Sequence, residues 1–227
     1  MSTRFHRAGL AVAALALAAL SGCKTPPPPY DYTAFRQAHP ATLLVLPPIN
    51  DSSDVKGSPG VWANATLPLS EAGYYVLPVT LVDATLKENG VTTAHDAQEL
   101  PAAKLREVFG ADAAVYLKVT HYGTTYHVIG SETRVDASAR IVDLRTGTLL
   151  WQGSAFATSG EGGSNQGGLA GLLVAAIVKQ IIASASDASF NYAAMADGRL
   201  LGAPRVNGVL PGPRSPLYGQ VAAGARP

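Results

Sequence analysis

The stretch Arg134-Val135-Asp136-Ala137-Ser138-Ala139-Arg140-Ile141 alternates polar and apolar side chains at every position. A period of two is typical of a β-strand that has one face against a core and the other towards solvent. The turn residues Asp143 to Gly147 follow directly, and Leu149-Leu150-Trp151 begins a partner strand that runs to about Thr158. This region therefore predicts an antiparallel pair of strands joined by a tight turn.

Apolar periodicity upstream predicts three more strands. The predicted strands are 43–46, 74–77 and 115–129, and the predicted helices are 60–72, 79–88 and 100–109. The first two strands flank a helix and are expected to be parallel, whereas the last three strands of the chain are expected to be antiparallel. Pro68 is expected to kink or split the first helix. We therefore predict an α/β (α+β) fold, with a single mixed sheet of about five strands and helices packed on it.

The C-terminal part of the chain predicts one long helix and an extended tail. The helix is expected from Leu169 to about Tyr192, and its first half, Leu169–Val178, is apolar on all sides. A helix buried across the sheet is the main interpretation, and a segment that inserts into lipid or binds a partner is the alternative. We place the globular domain at 41–195 and a Pro/Gly-rich tail, wrapped on the domain or disordered, at 196–227.

Residues 1–22 have the three parts of a secretory signal peptide. Arg4 and Arg7 give a positive start, Leu10–Leu20 is an apolar run, and small residues follow. A buried N-terminal helix is the alternative, but the run is shorter than the ~20 residues that span a bilayer. The next residue, Cys23, is the only cysteine of the chain. It has no disulfide partner within the chain and is predicted to be an attachment point.

The tetrapeptide Leu20-Ser21-Gly22-Cys23 resembles the lipobox of bacterial lipoproteins. The resemblance implies cleavage before Cys23 and acylation of this residue with chains such as palmitate, each methylene adding ~0.8 kcal/mol of membrane affinity. Lys24 at the next position implies the outer membrane and not inner-membrane retention. We interpret residues 23–40, which include Pro26–Pro29, as a tether. The alternative for the prolines is a ligand for a proline-binding module.

The charge of the chain excludes a nucleic-acid partner. Of the 17 basic residues, two lie in the leader, so the mature chain has 15 basic against 16 acidic residues. A net charge of −1 provides no basic footprint for a phosphate backbone.

No active-site motif is found, and no cofactor is predicted. The Gly160–Gly168 loop has neither Walker nor dinucleotide spacing, and no Gly-x-Ser-x-Gly elbow occurs. The histidines at 39, 95, 121 and 127 have no metal-site spacing. Asp51 and Asp54 are interpreted as turn caps and not as cation ligands.

Five tyrosines are the candidate partner surface, because tyrosine is enriched at protein contacts. They are Tyr74, Tyr75, Tyr116, Tyr122 and Tyr126. The alternative is that several of them pack on the sheet beneath helices.

Seven short motifs together resemble the domain-of-unknown-function 799 family of bacterial outer-membrane lipoproteins. They are Leu46-Pro47-Pro48-Ile49-Asn50, Thr66–Leu69, Glu71–Pro78, Val108–Ala113, Val142–Gly147, Leu150-Trp151 and Gly212–Pro216. The resemblance implies a periplasm-facing lipoprotein and brings no catalytic residues. More distantly, the order of elements is similar to the N-terminal domain of the Tol-system propeller protein and to the curli-secretion lipoprotein, an analogy of fold alone.

These observations favour a non-enzymatic accessory or assembly subunit of a cell-envelope complex. Its partners are expected to be the outer membrane, through lipid on Cys23, and an envelope protein or further copies of the chain. The alternatives are an oligomeric pore or membrane-remodelling lipoprotein and, third, an envelope hydrolase. No small-molecule substrate is predicted.

Overall fold

The structure is a computed structural model that describes residues 28–126, 131–160 and 188–220. Cys23, the Leu169–Val178 segment and nearly all of the Gly160–Gly168 loop lie outside the described residues. The chain divides into two units, Met1–Tyr30 and Asp31–Pro227, and every described strand and helix belongs to the second.

The predicted mixed sheet is confirmed, with six strands. The strands are β1 (Thr42–Val45), β2 (Ile49–Asn50), β3 (Tyr75–Val76), β4 (Ala113–Tyr126), β5 (Ser131–Asp143) and β6 (Leu149–Thr158). Their order is β3-β1-β4-β5-β6, and β2 also pairs with β4. Strand β1 is parallel to β3 and β4, whereas β4, β5 and β6 are antiparallel, as predicted. Pro47 and Pro48, which have no N–H to donate, separate β1 from β2 along the same edge of β4.

Six helices are described. They are α1 (Thr33–Ala38), α2 (Gly57–Glu71), α3 (Val79–Glu88), α4 (Ala94–Glu99), α5 (Ala102–Phe109) and α6 (Ala188–Leu201). Helix α3 has the predicted bounds, and Gly110 ends α5 in the left-handed conformation, as its position suggested. The predicted split at Pro68 does not occur, because this residue lies in the last turn of α2, where a lost N–H donor interrupts little of the helix. Within the described residues no helix combines the length and apolarity needed to cross a membrane.

Helices pack on both faces of the sheet. On one face, Leu44, Leu46, Ala114 and Tyr116 pack against buried residues of α3, α4 and α5. On the other face, α2 and α6 pack against β4, β5 and β6. The apolar side of the 134–141 alternation, from Val135 to Ile141, is buried on this second face.

The described C-terminal segment contacts the domain near both edges of the sheet. Helix α6 continues to Leu201, beyond the domain limit expected at 195. Beyond it, the backbone N–H of Gly212 donates to the Ala72 carbonyl at 2.7 Å, next to the edge strand β3. At the opposite edge, Trp151 of β6 donates its indole N–H to the Asn207 carbonyl at 2.9 Å.

A β-bulge in β4 reverses which face its side chains point to. Val119 pairs with Ala137 and His121 with Asp136, so Thr120 is an extra residue without a partner in β5. Because side chains alternate along a strand, one extra residue moves the even-numbered positions to the opposite face. Tyr116 therefore lies on the face covered by α3–α5, and Tyr122 lies on the face covered by α2.

Candidate functional site

Half of one sheet face carries none of the described helices. Helices α3–α5 pack on the β3–β1 side of this face. The β5–β6 side of the same face has no described helix on it. Side chains directly opposite one another on neighbouring strands share a face, which gives four rows across β4, β5 and β6. The rows are Tyr116–Arg140–Gln152, Lys118–Ser138–Ser154, His121–Asp136–Phe156 and Gly123–Arg134–Thr158. We call this surface the open face.

An exposed aromatic ring with charged neighbours lies on the β6 side of the open face. Phe156 is 48% exposed, and the Arg134 guanidinium lies 4.9 Å from the centre of its ring. Arg134 also donates from Nε to Asp136 Oδ1 at 2.8 Å, which fixes the cation in place. Cation–π contact adds about 0.5–1 kcal/mol at an exposed site, so the pair is held before any partner arrives.

A second cation–aromatic pair lies where the open face meets the helices. The Arg140 guanidinium stands 5.3 Å from the centre of the Tyr116 ring. Burial raises the pKa of the Tyr116 hydroxyl, and the positive charge of Arg140 offsets part of that rise. Lys118 lies between the two pairs and is bonded to Asp51 Oδ2 at 2.6 Å. The open face therefore presents three cations on a rigid sheet.

The structure places only two of the five predicted tyrosines at the surface. Tyr74, Tyr116 and Tyr122 are buried, so their side chains belong to packing and not to one exposed patch. The Tyr74 hydroxyl donates to the Leu210 carbonyl at 2.6 Å, and its burial raises the pKa of this hydroxyl well above the ordinary value. Tyr75 is 47% exposed on the edge strand β3, and Tyr126 is 82% exposed at the end of β4. Tyr75 lies near the start of β4, across β1, whereas Tyr126 is the last residue of β4, so the two form no common surface.

The predicted acidic candidates have structural roles. Asp54 accepts the Lys56 N–H at 2.9 Å, which is turn capping as predicted. Asp112 accepts the backbone N–H groups of Ala41 and Thr42, each at 3.0 Å. In the part of the chain that the structure describes, no group of three or more metal-ligating side chains comes together.

Asp143 organises the β5–β6 turn. It accepts the backbone N–H of Arg145 at 2.6 Å and the Arg145 guanidinium at 3.1 Å. Burial alone would raise the pKa of Asp143, but the hydrogen bonds from Arg145 and Thr146 outweigh burial and hold it below its ordinary value. This network explains the Asp143–Gly147 motif by geometry and does not indicate catalysis.

Three cavities open among the described residues. One of about 450 Å³ lies between α2 and α3 and is lined by Trp62 and the Asp83–Lys87 ion pair. A second of about 210 Å³ lies near Tyr74 and Tyr218. A third of about 370 Å³ lies beside β6 and adjoins the open face at Ser154.

Sequence reasoning missed Arg134, Arg140 and Phe156 as site residues. The polar members of the 134–141 alternation were interpreted only as a solvent-facing side. A usable signal was nevertheless present, because the predicted helices upstream of 115 can cover only one end of the sheet. The strands that follow those helices in the chain therefore keep one face uncovered, unless a later segment of the chain packs on it.

Comparison with known proteins relates the chain to bacterial lipoproteins. Residues 30–214 match the family model described as "Putative lipoprotein GNA1162-like". The lipoprotein NMB1124/NMB1162 of Neisseria meningitidis serogroup B is 46% identical over 200 residues, which cover 88% of this chain and 93% of that protein.

Solved structures give the same relation. The crystal structure of lipoprotein GNA1162 from Neisseria meningitidis is 50% identical with a TM-score of 0.53, and the match covers 64% of this chain and 100% of that one. A dodecamer of PelC from Paraburkholderia phytofirmans is 14% identical with a TM-score of 0.42, covering 77% and 91%. This second likeness is too low to support an argument about the chain. The distant similarities to the Tol-system and curli-secretion proteins stay predictions.

Proposed function

The chain belongs to the GNA1162-like lipoprotein family, and from this premise we propose that it is a lipid-anchored protein of the cell envelope that binds a protein partner through its open face. It acts without catalysis, as an accessory or assembly subunit of an envelope complex. Lipid on Cys23 anchors it in the outer membrane, and the domain faces the periplasm. We also propose that this family is the one whose motifs resemble domain-of-unknown-function 799.

The exposed Phe156 with its cation pair carries the proposal. Aromatic and arginine side chains dominate the energetics of protein interfaces, and Phe156 and Arg134 present one of each at the same place. The Arg134 guanidinium lies over the Phe156 ring, and Asp136 holds the guanidinium there. Little side-chain entropy is then lost on binding, which favours affinity.

Site-specific photo-crosslinking in cells tests the contact. A benzophenone amino acid at position 156 is expected to give a defined crosslinked product that mass spectrometry identifies as an envelope protein. The matched control is position 81 on α3, since Leu81 is also an exposed apolar residue, at 64%. The product should be lost when Arg134→Ala and Arg140→Ala are combined and kept in Lys104→Ala.

Two results would contradict the proposal. Identical products at positions 156 and 81, or none at 156, would remove the open face as the contact. A detergent-stable ring of identical subunits, with crosslinks only between copies, would favour the oligomeric pore instead.

Anchoring has a test of its own. The Cys23→Ala chain is expected to lose palmitate labelling and to leave the membrane fraction, and Cys23→Ser should behave in the same way, since the thiol is the acceptor. Density-gradient separation of the two membranes then places the native chain. Persistent membrane association of Cys23→Ala after a carbonate wash would contradict anchoring by this residue.

A further inference from the structure

Two arginines face the cavity beside β6. The cavity of about 370 Å³ lies between this edge strand, the end of α6 and the turn at residues 205–208. Its lining includes Trp151, Ser154, Arg199, Arg205, Val206 and Asn207. No carboxylate lines it within the described part of the chain. The two arginines are the charged side chains of the described lining.

Arg199 is fixed by the edge of the sheet. It stands in the last turn of α6 and donates from Nη1 to the Phe156 carbonyl at 2.7 Å. This carbonyl belongs to β6, which is the edge strand among those that the structure describes. The bond holds the guanidinium beside the cavity.

Arg205 is fixed from the other side. The Gly208 N–H donates to the Arg205 carbonyl at 3.1 Å and closes the turn, and the buried Trp151 holds this turn through Asn207. A side chain at Gly208 would come within 2.8 Å of Arg205 Cβ, so glycine allows the arginine to pack closely on the turn. Among residues 28–126, 131–160 and 188–220, no carboxylate forms an ion pair with Arg205.

Two guanidiniums held on one cavity favour an anion with several oxygens. Arginine presents planar N–H donors that match phosphate, and weak hydration of the guanidinium lowers the cost of binding. The Arg199 side chain is already held by β6 and the Arg205 backbone by the turn, so part of their placement exists before binding.

The neighbouring residue indicates the source of the phosphate. Val206 follows Arg205 in the turn and is 67% exposed. Where a protein surface meets lipid headgroups, a cation can bind the phosphate while an apolar neighbour enters the interface. About ten residues separate Cys23 from α1, a reach of ~35 Å at most. This is close to the diameter of a domain of this size, so a lipid anchor keeps the domain within reach of the headgroups.

We propose that Arg199 and Arg205 bind the phosphate of an anionic phospholipid, with Val206 entering the headgroup region. The inference rests on the proposed function, since the lipid anchor brings this surface to the bilayer. The contact orients the domain on its tether.

Sedimentation with vesicles tests the contact without the anchor. The Cys23→Ala chain is mixed with vesicles of phosphatidylglycerol and phosphatidylethanolamine, so that a failure of lipidation does not affect the result. Each basic residue near an anionic surface contributes about fivefold in binding, so Arg199→Gln combined with Arg205→Gln is expected to weaken it about 25-fold. Lys87→Gln combined with Lys104→Gln is the charge-matched control and should change little, because both lysines are exposed and paired with acids elsewhere on the domain.

Further variants separate binding from folding. Arg199→Lys combined with Arg205→Lys keeps the charge but loses the planar donors, and should weaken binding less than the glutamine pair does. Val206→Asp leaves both arginines intact and is expected to weaken binding to vesicles while the unfolding midpoint stays the same.

The overturning results are distinct. Equal loss in the two glutamine double variants would mean nonspecific charge attraction, and equal binding in all variants would remove the cavity from the contact. Binding of phosphate ions to these arginines, seen by NMR, without binding to vesicles would overturn the lipid assignment.

Discussion

The buried Asp197 predicts an unusual pH dependence of stability. Its side chain lies in α6 with no exposure to solvent, and neither carboxylate oxygen has a hydrogen-bond partner among the described residues. Burial of the charged form raises the pKa of Asp197 well above its ordinary value. We therefore expect Asp197→Asn to stabilise the protein, and to do so more strongly as the pH rises.

The sign follows from proton linkage. Below a pH of about 3.9 the carboxyl is protonated in the folded and unfolded chains, so it adds no pH dependence. Above that pH the unfolded chain loses the proton and the folded chain keeps it until its own higher pKa is passed. Stability then falls as the pH rises through this window, by about 1.4 kcal/mol for each unit between the two pKa values. A buried neutral carboxyl without a partner costs roughly 1–3 kcal/mol at every pH, and asparagine shares this second cost.

Urea unfolding followed by circular dichroism measures the effect. The free energy of unfolding of the wild type and of Asp197→Asn is compared at several pH values between about 4 and 8, a range that begins near the ordinary aspartate pKa. The exposed Glu71→Gln serves as control, because this carboxylate forms no ion pair among the described residues. The gap between wild type and Asp197→Asn should open with pH, and the gap for the control should not. A gap that stays constant with pH, or a wild type that is more stable at the highest pH, would refute the reasoning, because the carboxylate would then be stabilised by a partner.

Four further changes test the packing and the turn. Gly60→Ala should destabilise by about 1–3 kcal/mol in thermal unfolding, since the new Cβ would lie 2.6 Å from the Tyr122 hydroxyl oxygen. Gly198→Ala in α6 should instead stabilise by roughly 0.5–1 kcal/mol, because no described atom lies within 4 Å of the new Cβ; destabilisation there would contradict the helix position. Asp143→Asn should lower the free energy of unfolding by about 1–3 kcal/mol near neutral pH. This loss should shrink as the pH falls through the lowered pKa of Asp143, because the wild-type carboxylate is then also protonated. A loss that does not depend on pH would rule out the charge as its source. Trp151→Phe should cost about 1 kcal/mol by removing the indole donor, and hydrogen exchange should rise at residues 205–208; unchanged exchange would show that the indole does not hold the turn.

Much of the fold could be predicted because it is encoded locally. The 134–141 alternation identified β5, and helical spacing with Pro78 in front gave α3 its observed bounds. Helix α4 was missed although a signal was present: Thr93 caps it by accepting the Asp96 N–H at 3.1 Å, which a threonine followed by an acid three residues later indicates. Helix α1 falls within the predicted tether, where the preceding prolines were given more weight than Thr33–Ala38.

The candidate surface was harder to predict because burial of a side chain depends on distant contacts. Tyr74 is buried under residues that lie 136 positions later in the sequence, at Leu210. Tyr116 and Tyr122 have the same parity, and only the extra residue at Thr120 separates them onto opposite faces. A bulge in the middle of a long strand has no reliable sequence signal, so a surface inferred from alternation alone joins residues that the fold keeps apart.

The central position of β4 has a consequence for how the chain assembles. This strand pairs with β1 and β2 along one edge and with β5 along the other, yet it begins only at Ala113. When a chain emerges N-terminus first, from the ribosome or from a translocation channel, β1 and β2 cannot pair with β4 until the first half of the chain has emerged. The high sequence separation of these pairings slows folding and keeps the early segments unpaired. Strand order alone thus gives the protein a built-in delay in folding.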